Sequence, residues 1–145
     1  MQPNAVVRRA VELAEAMESL DSPPSADWAE AWFDPQFTYE DRRSMRVFGK
    51  IDGRAAYQPL LESLWVVGTG PSIGLEALLA QSGDRLALGR LTVSFGDGAV
   101  NSYLLFSELD QSLRRFCRWV DFDGDDEAAA RAEFDQRVRQ LDDPL

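Results

Sequence analysis

Between residues 72 and 122 the chain passes through four long apolar-rich runs, 72–81, 85–95, 99–109 and 113–122, with three residues between each and the next. The separators Ser82-Gly83-Asp84, Gly96-Asp97-Gly98 and Asp110-Gln111-Ser112 carry turn-forming residues, and connections this short join neighbouring antiparallel strands. A four-strand meander is therefore predicted for the second half of the chain. Both parities of its strands are apolar. In the second run Ala87, Leu91, Val93 and Phe95 share one side, while Leu86 and Leu88 join Arg90, Thr92 and Ser94 on the other. A sheet wetted on one face would alternate more cleanly. One face is expected to pack on helices and the other on a further surface, most simply a second copy of the chain.

Helical periodicity comes first along the chain. Val6, Ala10, Leu13, Met17 and Leu20 recur every three or four residues among Arg8, Arg9, Glu12, Glu15 and Glu18, which predicts an amphipathic helix over 5–20. Asp21-Ser22-Pro23-Pro24 ends it, and Ser25 is placed to cap a second, short helix carrying Trp28, Trp32 and Phe33. A short strand over 37–41 puts Phe37, Tyr39 and Asp41 on one side. After a loop, Asp52-Gly53 opens a third helix with Tyr57, Leu60, Leu61 and Leu64 on one stripe and Pro59 inside it, a residue expected to kink it. Residues 123–141 read as a last, charged helix. Helices followed by a meander is an α+β order, without the alternation that parallel sheets need.

The 145 residues fit one domain. There is no histidine, and this nearly removes Ser-His and Cys-His nucleophile systems and most catalytic zinc sites. Proton transfer near neutral pH is left to a buried carboxylate, a tyrosine or the one lysine, Lys50. Neither metal nor cofactor is expected. The acid run from Asp121 to Glu127 lacks the glycine and the final acid that a calcium loop needs at their positions. A net charge of -10 disfavours nucleic acid and anionic membrane as partners. The arginine pairs Arg8-Arg9, Arg42-Arg43 and Arg114-Arg115 read as scattered, solvated surface. Cys117 is alone and reads as a small core residue, and with no apolar leader or spanning run visible, the cytoplasm is the expected location.

Phe37-Thr38-Tyr39-Glu40-Asp41, Gly53-Arg54-Ala55-Ala56-Tyr57, Leu91-Thr92-Val93-Ser94-Phe95 and Val120-Asp121-Phe122-Asp123 follow one another on this plan. In their order and spacing the chain resembles, over nearly its whole length, the SnoaL-like branch of the nuclear transport factor 2-like superfamily. Ketosteroid isomerases, polyketide cyclases and limonene-epoxide hydrolases belong to that group. The resemblance implies an α+β fold with a cone-shaped cavity: three N-terminal helices packed on a strongly curled, mainly antiparallel sheet, plus a C-terminal helix, in one domain over 1–145. It also implies a small apolar ligand or substrate in the cavity, handled without a cofactor.

Residue by residue, Asp41 matches the base aspartate of the isomerases. Their tyrosine donor and protonated acid fall on Leu13 and approximately Leu105 here, so the isomerase oxyanion hole is missing. Against the epoxide hydrolases, Tyr39 matches a water-positioning tyrosine, Asp41 replaces an asparagine, and Arg90 matches an arginine between two catalytic aspartates. Those aspartates fall on Thr92 and Val120; a slip of one residue places Asp121 at the second position.

Two readings of Asp41 stand side by side. Either it is a strand-end carboxylate paired with Arg42, Arg43 or solvent, or it is a general base in the cavity with Tyr39 beside it as donor. In the second case desolvation raises its pKa above about 3.9 and Arg90 pulls the other way. Arg90, Tyr103, Arg118 and Trp32 are the candidate ligand-binding residues, each equally readable as an ion-pair or core side chain. The leading expectation is an isomerase, cyclase or dehydratase; the alternative is a non-catalytic cavity domain that binds a ligand or only dimerises. Leu91, Val93 and Trp119 are expected at a homodimer contact through the sheet, and sedimentation at micromolar concentration is expected to give a dimer, a monomer counting against it.

Overall fold

The computed structural model describes residues 2–45, 48–66 and 68–142. Two helices, α1 (Ala5–Glu18) and α2 (Ala26–Glu30), precede strands β1 (Phe33–Asp41) and β2 (Lys50–Asp52). Helix α3 (Arg54–Ser63) leads to the meander β3 (Ser72–Ser82), β4 (Leu86–Ser94), β5 (Val100–Leu109) and β6 (Phe116–Asp123), and α4 (Glu127–Asp142) follows. The six strands form one sheet in the order β2-β1-β6-β5-β4-β3. All neighbours are antiparallel except β1 and β6, which run parallel and pair Tyr39 with Trp119 and Asp41 with Asp121.

The helix ends are built as their residue types dictate. The Asn4 side chain accepts from the Val7 amide at 3.3 Å and donates to the Gly83 and Leu86 carbonyls, each at 2.9 Å. One cap therefore satisfies an orphan helix donor and ties α1 to the β3–β4 turn. The Ser25 hydroxyl accepts from the Trp28 amide at 3.1 Å. Helix α2 stops at Glu30, and Phe33, expected on that helix, already belongs to β1. It is fully buried among Phe37, Tyr57, Phe116 and Trp119, and pairing with Phe116 outweighs local helical preference there. Strand β2 was not anticipated; three residues with Ile51 as the only apolar one carry too little pattern.

Alternate residues of the meander serve two layers. Leu86 and Leu88 of β4, Leu104 and Phe106 of β5, and Val120 and Phe122 of β6 pack under Ala130 and Phe134 of α4. Ala87, Gly89, Leu91 and Val93 of β4 face the opposite side, toward α1 and α3. The second apolar face is thus covered by the chain's own last helix, and Leu91, Val93 and Trp119, expected at a dimer contact, line an internal pocket instead. The strong curl implied by the resemblance is also corrected: the sheet is open, with β2 and β3 at its edges. Its irregularities are local, as bulges are, with register shifts between Leu75 and Ala77 and between Leu78 and Ala80. Among the described residues no helix is long and apolar enough to cross a membrane.

Because α4 closes the second core layer through Phe134, Phe134→Ala is expected to cost about 3 kcal/mol in urea unfolding, at the lower end of buried Phe→Ala changes. Val100→Ala, at a side chain 62% exposed, is expected to change stability by less than about 0.5 kcal/mol. Equal effects would contradict this assignment of the second layer.

Candidate functional site

A pocket of about 570 Å³ lies between α1, α3 and the face of the sheet opposite α4, within the usual span for small-molecule sites of about 300–1,000 Å³. Most of its wall is aliphatic, with Leu13 and Met17 from α1, Leu61 from α3, and Leu91 and Val93 from β4. Polar groups gather where β1, β6 and β5 run side by side. Tyr39, Arg43, Tyr57, Tyr103 and Asp121 all reach the wall there.

Register explains the convergence. Tyr39 of β1 pairs with Trp119, so Asp121 is its diagonal neighbour on the same face. Asp121 pairs in turn with Leu105 of β5, which makes Tyr103 its diagonal neighbour on the other side. Tyr57 arrives from α3, its ring centroid 5.5 Å from that of Tyr39 and 6.2 Å from that of Trp119. The Trp119 indole N–H is buried without a hydrogen-bond partner among the described residues, its ring set edge-on to Phe33, Phe37 and Tyr57.

Asp121 is 5% exposed. The Tyr39 hydroxyl donates to its Oδ2 at 2.5 Å. Burial pushes the Asp121 carboxyl up to about 7, and the neighbouring Asp41 pushes the same way, while the Tyr39 hydrogen bond and Arg43 pull it down. Near neutral pH the group therefore exists in both forms, a useful condition for moving a proton. Tyr39 is held above the ordinary phenol range by its own burial and by Asp121, so it stays a donor. Burial raises the Tyr57 and Tyr103 hydroxyls as well.

Asp41, expected as the base, is 2% exposed and is gripped by an arginine two residues along. Arg43 Nε donates to Asp41 Oδ1 at 2.8 Å, Nη2 to Oδ2 at 3.0 Å, and the Arg43 amide to Oδ1 at 3.1 Å. The pair raises the Arg43 guanidinium above its ordinary value and sets it 5.4 Å from the Tyr103 ring centroid. Arg43, not Asp41, lines the pocket. Of the other candidates, Tyr103 is at the wall and three are not. Arg90 and Arg118 have the strand parity that faces α4: Arg90 donates to the Gly124 carbonyl at 2.9 Å and lies 3.6 Å from Glu127, and Arg118 pairs with Glu133 at 2.5 Å. Trp32 lies outside the pocket, under Arg9 at 3.9 Å from its ring centroid. There Arg9 also donates to the Arg114 and Ala31 carbonyls at 2.8 and 2.9 Å. Two of the arginine pairs read as scattered thus share one surface hollow.

Leu13 and Leu105, at or near the positions that the resemblance matches to the isomerases' donors, both line the pocket. Tyr57 and Arg43 were missed as site residues. Asp121 was reached only through a slip of one position. The signal for Asp121 was a lone carboxylate between Val120 and Phe122 in a strand apolar on both faces.

No family model matches the sequence, and no curated protein matches it. Solved structures do resemble it. A LEH-like epoxide hydrolase from M. tuberculosis superposes with a TM-score of 0.59 at 18% identity, covering 100% of both chains. A Δ5-3-ketosteroid isomerase from Mycobacterium sp. gives 0.59 at 13%, covering 81% of this chain and 92% of its own. An NTF2-like protein from Anabaena variabilis gives 0.58 at 15%, covering 84% and 91%. At such identities the likeness establishes the fold: a mixed α+β, NTF2-like arrangement of six strands and four helices.

The raised Asp121 pKa has a signed consequence for stability. Unfolded, the group titrates near 3.8; folded, near 7. Between these values the folded state holds the extra proton, so this group's contribution to stability falls as pH rises through the window and is flat above it. Asp121→Asn removes that dependence. Thermal melts from pH 4 to 8 are expected to show the variant gaining on the parent up to about pH 7, whereas a difference independent of pH would contradict the buried, raised carboxyl.

Proposed function

We propose that this NTF2-like fold houses a cofactor-independent enzyme of the isomerase, cyclase or dehydratase type, in which Asp121 moves a proton on a small apolar substrate bearing a carbonyl. The observation that carries this reading is the buried Tyr39–Asp121 hydrogen bond at the wall of a mostly apolar pocket. The fold's likeness to an isomerase and an epoxide hydrolase supports it. The base is thereby moved from Asp41 to Asp121, because Arg43 already engages Asp41.

In the ionised form Asp121 takes a proton from a carbon next to the carbonyl. The C–H bond breaks, an O–H bond forms on Asp121, and the electron pair moves onto the carbonyl oxygen. Return of the same proton to another carbon completes an isomerisation with no change in composition. Tyr39 steadies the carboxylate and fixes which oxygen faces the substrate. The apolar wall excludes water and keeps the carboxyl pKa near the working pH. The homodimer expected through the sheet remains part of this proposal, and sedimentation at micromolar concentration tests it.

The test is deuterium exchange of the α-protons of a panel of apolar cyclic ketones, followed by proton NMR. The rate is expected to rise with pH through about 7 as Asp121 ionises, and Asp121→Asn to lower it about a hundredfold or more. Tyr39→Phe removes a bond that holds the Asp121 pKa down, so its profile is expected to move to higher pH. No exchange above the buffer rate for any ketone, or exchange that survives Asp121→Asn, would overturn the enzymatic reading and leave a ligand-binding pocket.

A further inference from the structure

The floor of the pocket has a gap at Gly89. Four strands present one row of paired residues to it: Asp121 of β6 beside Leu105 of β5, Leu105 beside Gly89 of β4, and Gly89 beside Leu78 of β3. All four line the wall. Among the described residues of that wall Gly89 alone brings no side chain. It does so in the interior of a central strand, where glycine weakens the ladder and commonly marks a close approach. Gly89 is not among the residues with positive φ, so no left-handed turn calls for glycine there.

The close approach is made by Leu75. A Cβ at position 89 would lie 2.8 Å from Leu75 Cδ1 and 3.5 Å from the Ala77 carbonyl oxygen. Leu75 pairs with Leu91 of β4, and the register shifts between Leu75 and Ala77. The bulge bends β3 there and brings the Leu75 side chain diagonally over Gly89. Leu75 is nevertheless 43% exposed, and Val11 of α1 is 45% exposed, although both line the pocket. Apolar side chains that are at once on the pocket wall and in solvent mark an opening, here between α1 and the edge strand β3. Register also gives a length. Neighbouring strands lie about 4.8 Å apart, so Gly89, two strands from Asp121, is about 10 Å from it along the floor. An extended chain advances about 1.2 Å per bond, and about eight bonds cover that distance.

Resting on the proton-transfer reading above for the end at which the reacting carbon sits, we propose that Gly89 and Leu75 set the length of ligand that the pocket accepts. An unbranched hydrocarbon chain runs from Asp121 over Leu105 to Gly89, and its far end leaves between α1 and β3. The missing side chain at Gly89 gives the chain its passage. Leu75 covers that passage from the solvent side and, being half exposed, yields by rotating outward. The substrate class is an extended-chain carbonyl compound of about ten carbons, and the glycine, costly to the strand, is retained for the path it leaves open.

The test is a series of 2-alkanones of about five to thirteen carbons, titrated at pH 7.5 against tryptophan fluorescence, for which Trp119 is at the wall. In the parent, affinity is expected to rise about two- to fourfold per methylene and to level off near ten carbons, where the chain reaches solvent. Gly89→Val sets a branched side chain in the path, so the levelling is expected about four carbons sooner, one strand spacing, with the shortest ketones bound as in the parent. Leu75→Ala, at an exposed position of an edge strand, removes the cover. It is expected to weaken ketones of about nine carbons or more three- to fivefold and to leave the five-carbon ketone unchanged. Melting curves on the same samples show whether the variants are folded, and if Gly89→Val is not, Leu75→Ala decides alone. A levelling point unmoved in folded Gly89→Val, long ketones unaffected by Leu75→Ala, no levelling across the series, or no ketone bound would each overturn the proposal. These readouts need no turnover. A levelling point that moves as expected supports the proposal even where exchange survives Asp121→Asn, a result that counts against the proton-transfer reading alone.

Discussion

The parallel pairing of β1 with β6 joins the helical first third of the chain to the far end of the meander, and the polar part of the pocket exists because of it. Residues eighty positions apart in sequence, Tyr39 with Trp119 and Asp41 with Asp121, become ladder partners. A parallel ladder is stable where both faces are covered. Here α3 and the aromatic group of Phe33, Phe37 and Tyr57 cover one face, and α4 reaches β6 on the other. Any shift by one residue would turn Tyr39 and Asp121 away from the pocket, so the burial of their neighbours Phe37 and Val120 on opposite faces is what holds the site in register.

The two faces of the sheet treat charge differently. On the α4 side the carboxylates are matched by arginines at the solvent edge. Glu133 meets Arg42 and Arg118, and Glu108, itself 2% exposed, meets Arg85 and Arg137. Such pairs satisfy buried or half-buried carboxylates and fix how α4 seats, without adding much net stability. On the pocket side Asp121 receives a phenol rather than a cation. A neutral donor compensates less of the desolvation than a guanidinium would, and this difference keeps the Asp121 pKa near neutrality. Arg43 could have supplied that cation, but its fork is engaged by Asp41. The arrangement places a carboxylate paired with a guanidinium beside one that receives a phenol.

Much of the secondary structure was legible because it rests on local pattern. The β3 to β6 boundaries follow the apolar runs and their Gly, Asp and Ser separators closely, and Ser25 caps where it was expected to. Elements defined by distant partners were not legible. Strand β2 and the first half of β1 take their conformation from pairing with β1 and β6 and from the burial of Phe33, and none of these leaves a periodic mark nearby. The candidate site divides the same way. Tyr39 was reached through the resemblance and Tyr103 through its strand, while Arg90, also reached through the resemblance, and Arg118, reached through its strand, lie on the face that belongs to α4.

By itself the sequence determined the class of the fold, the meander, the double-sided burial of its strands and the restriction of proton chemistry to carboxylates, phenols and one lysine, since each follows from spacing or from which residue types are present. Only the tertiary structure decided which strand parity faces the pocket. With apolar residues on both parities, alternation carries no preference between faces, and the choice depends on where α4 and α3 dock. That single choice sends Arg90 and Arg118 outward, brings Tyr103 and Asp121 inward, and lets Arg43 engage Asp41. It is a property of packing among segments far apart in the chain, and no local stretch of residues contains it.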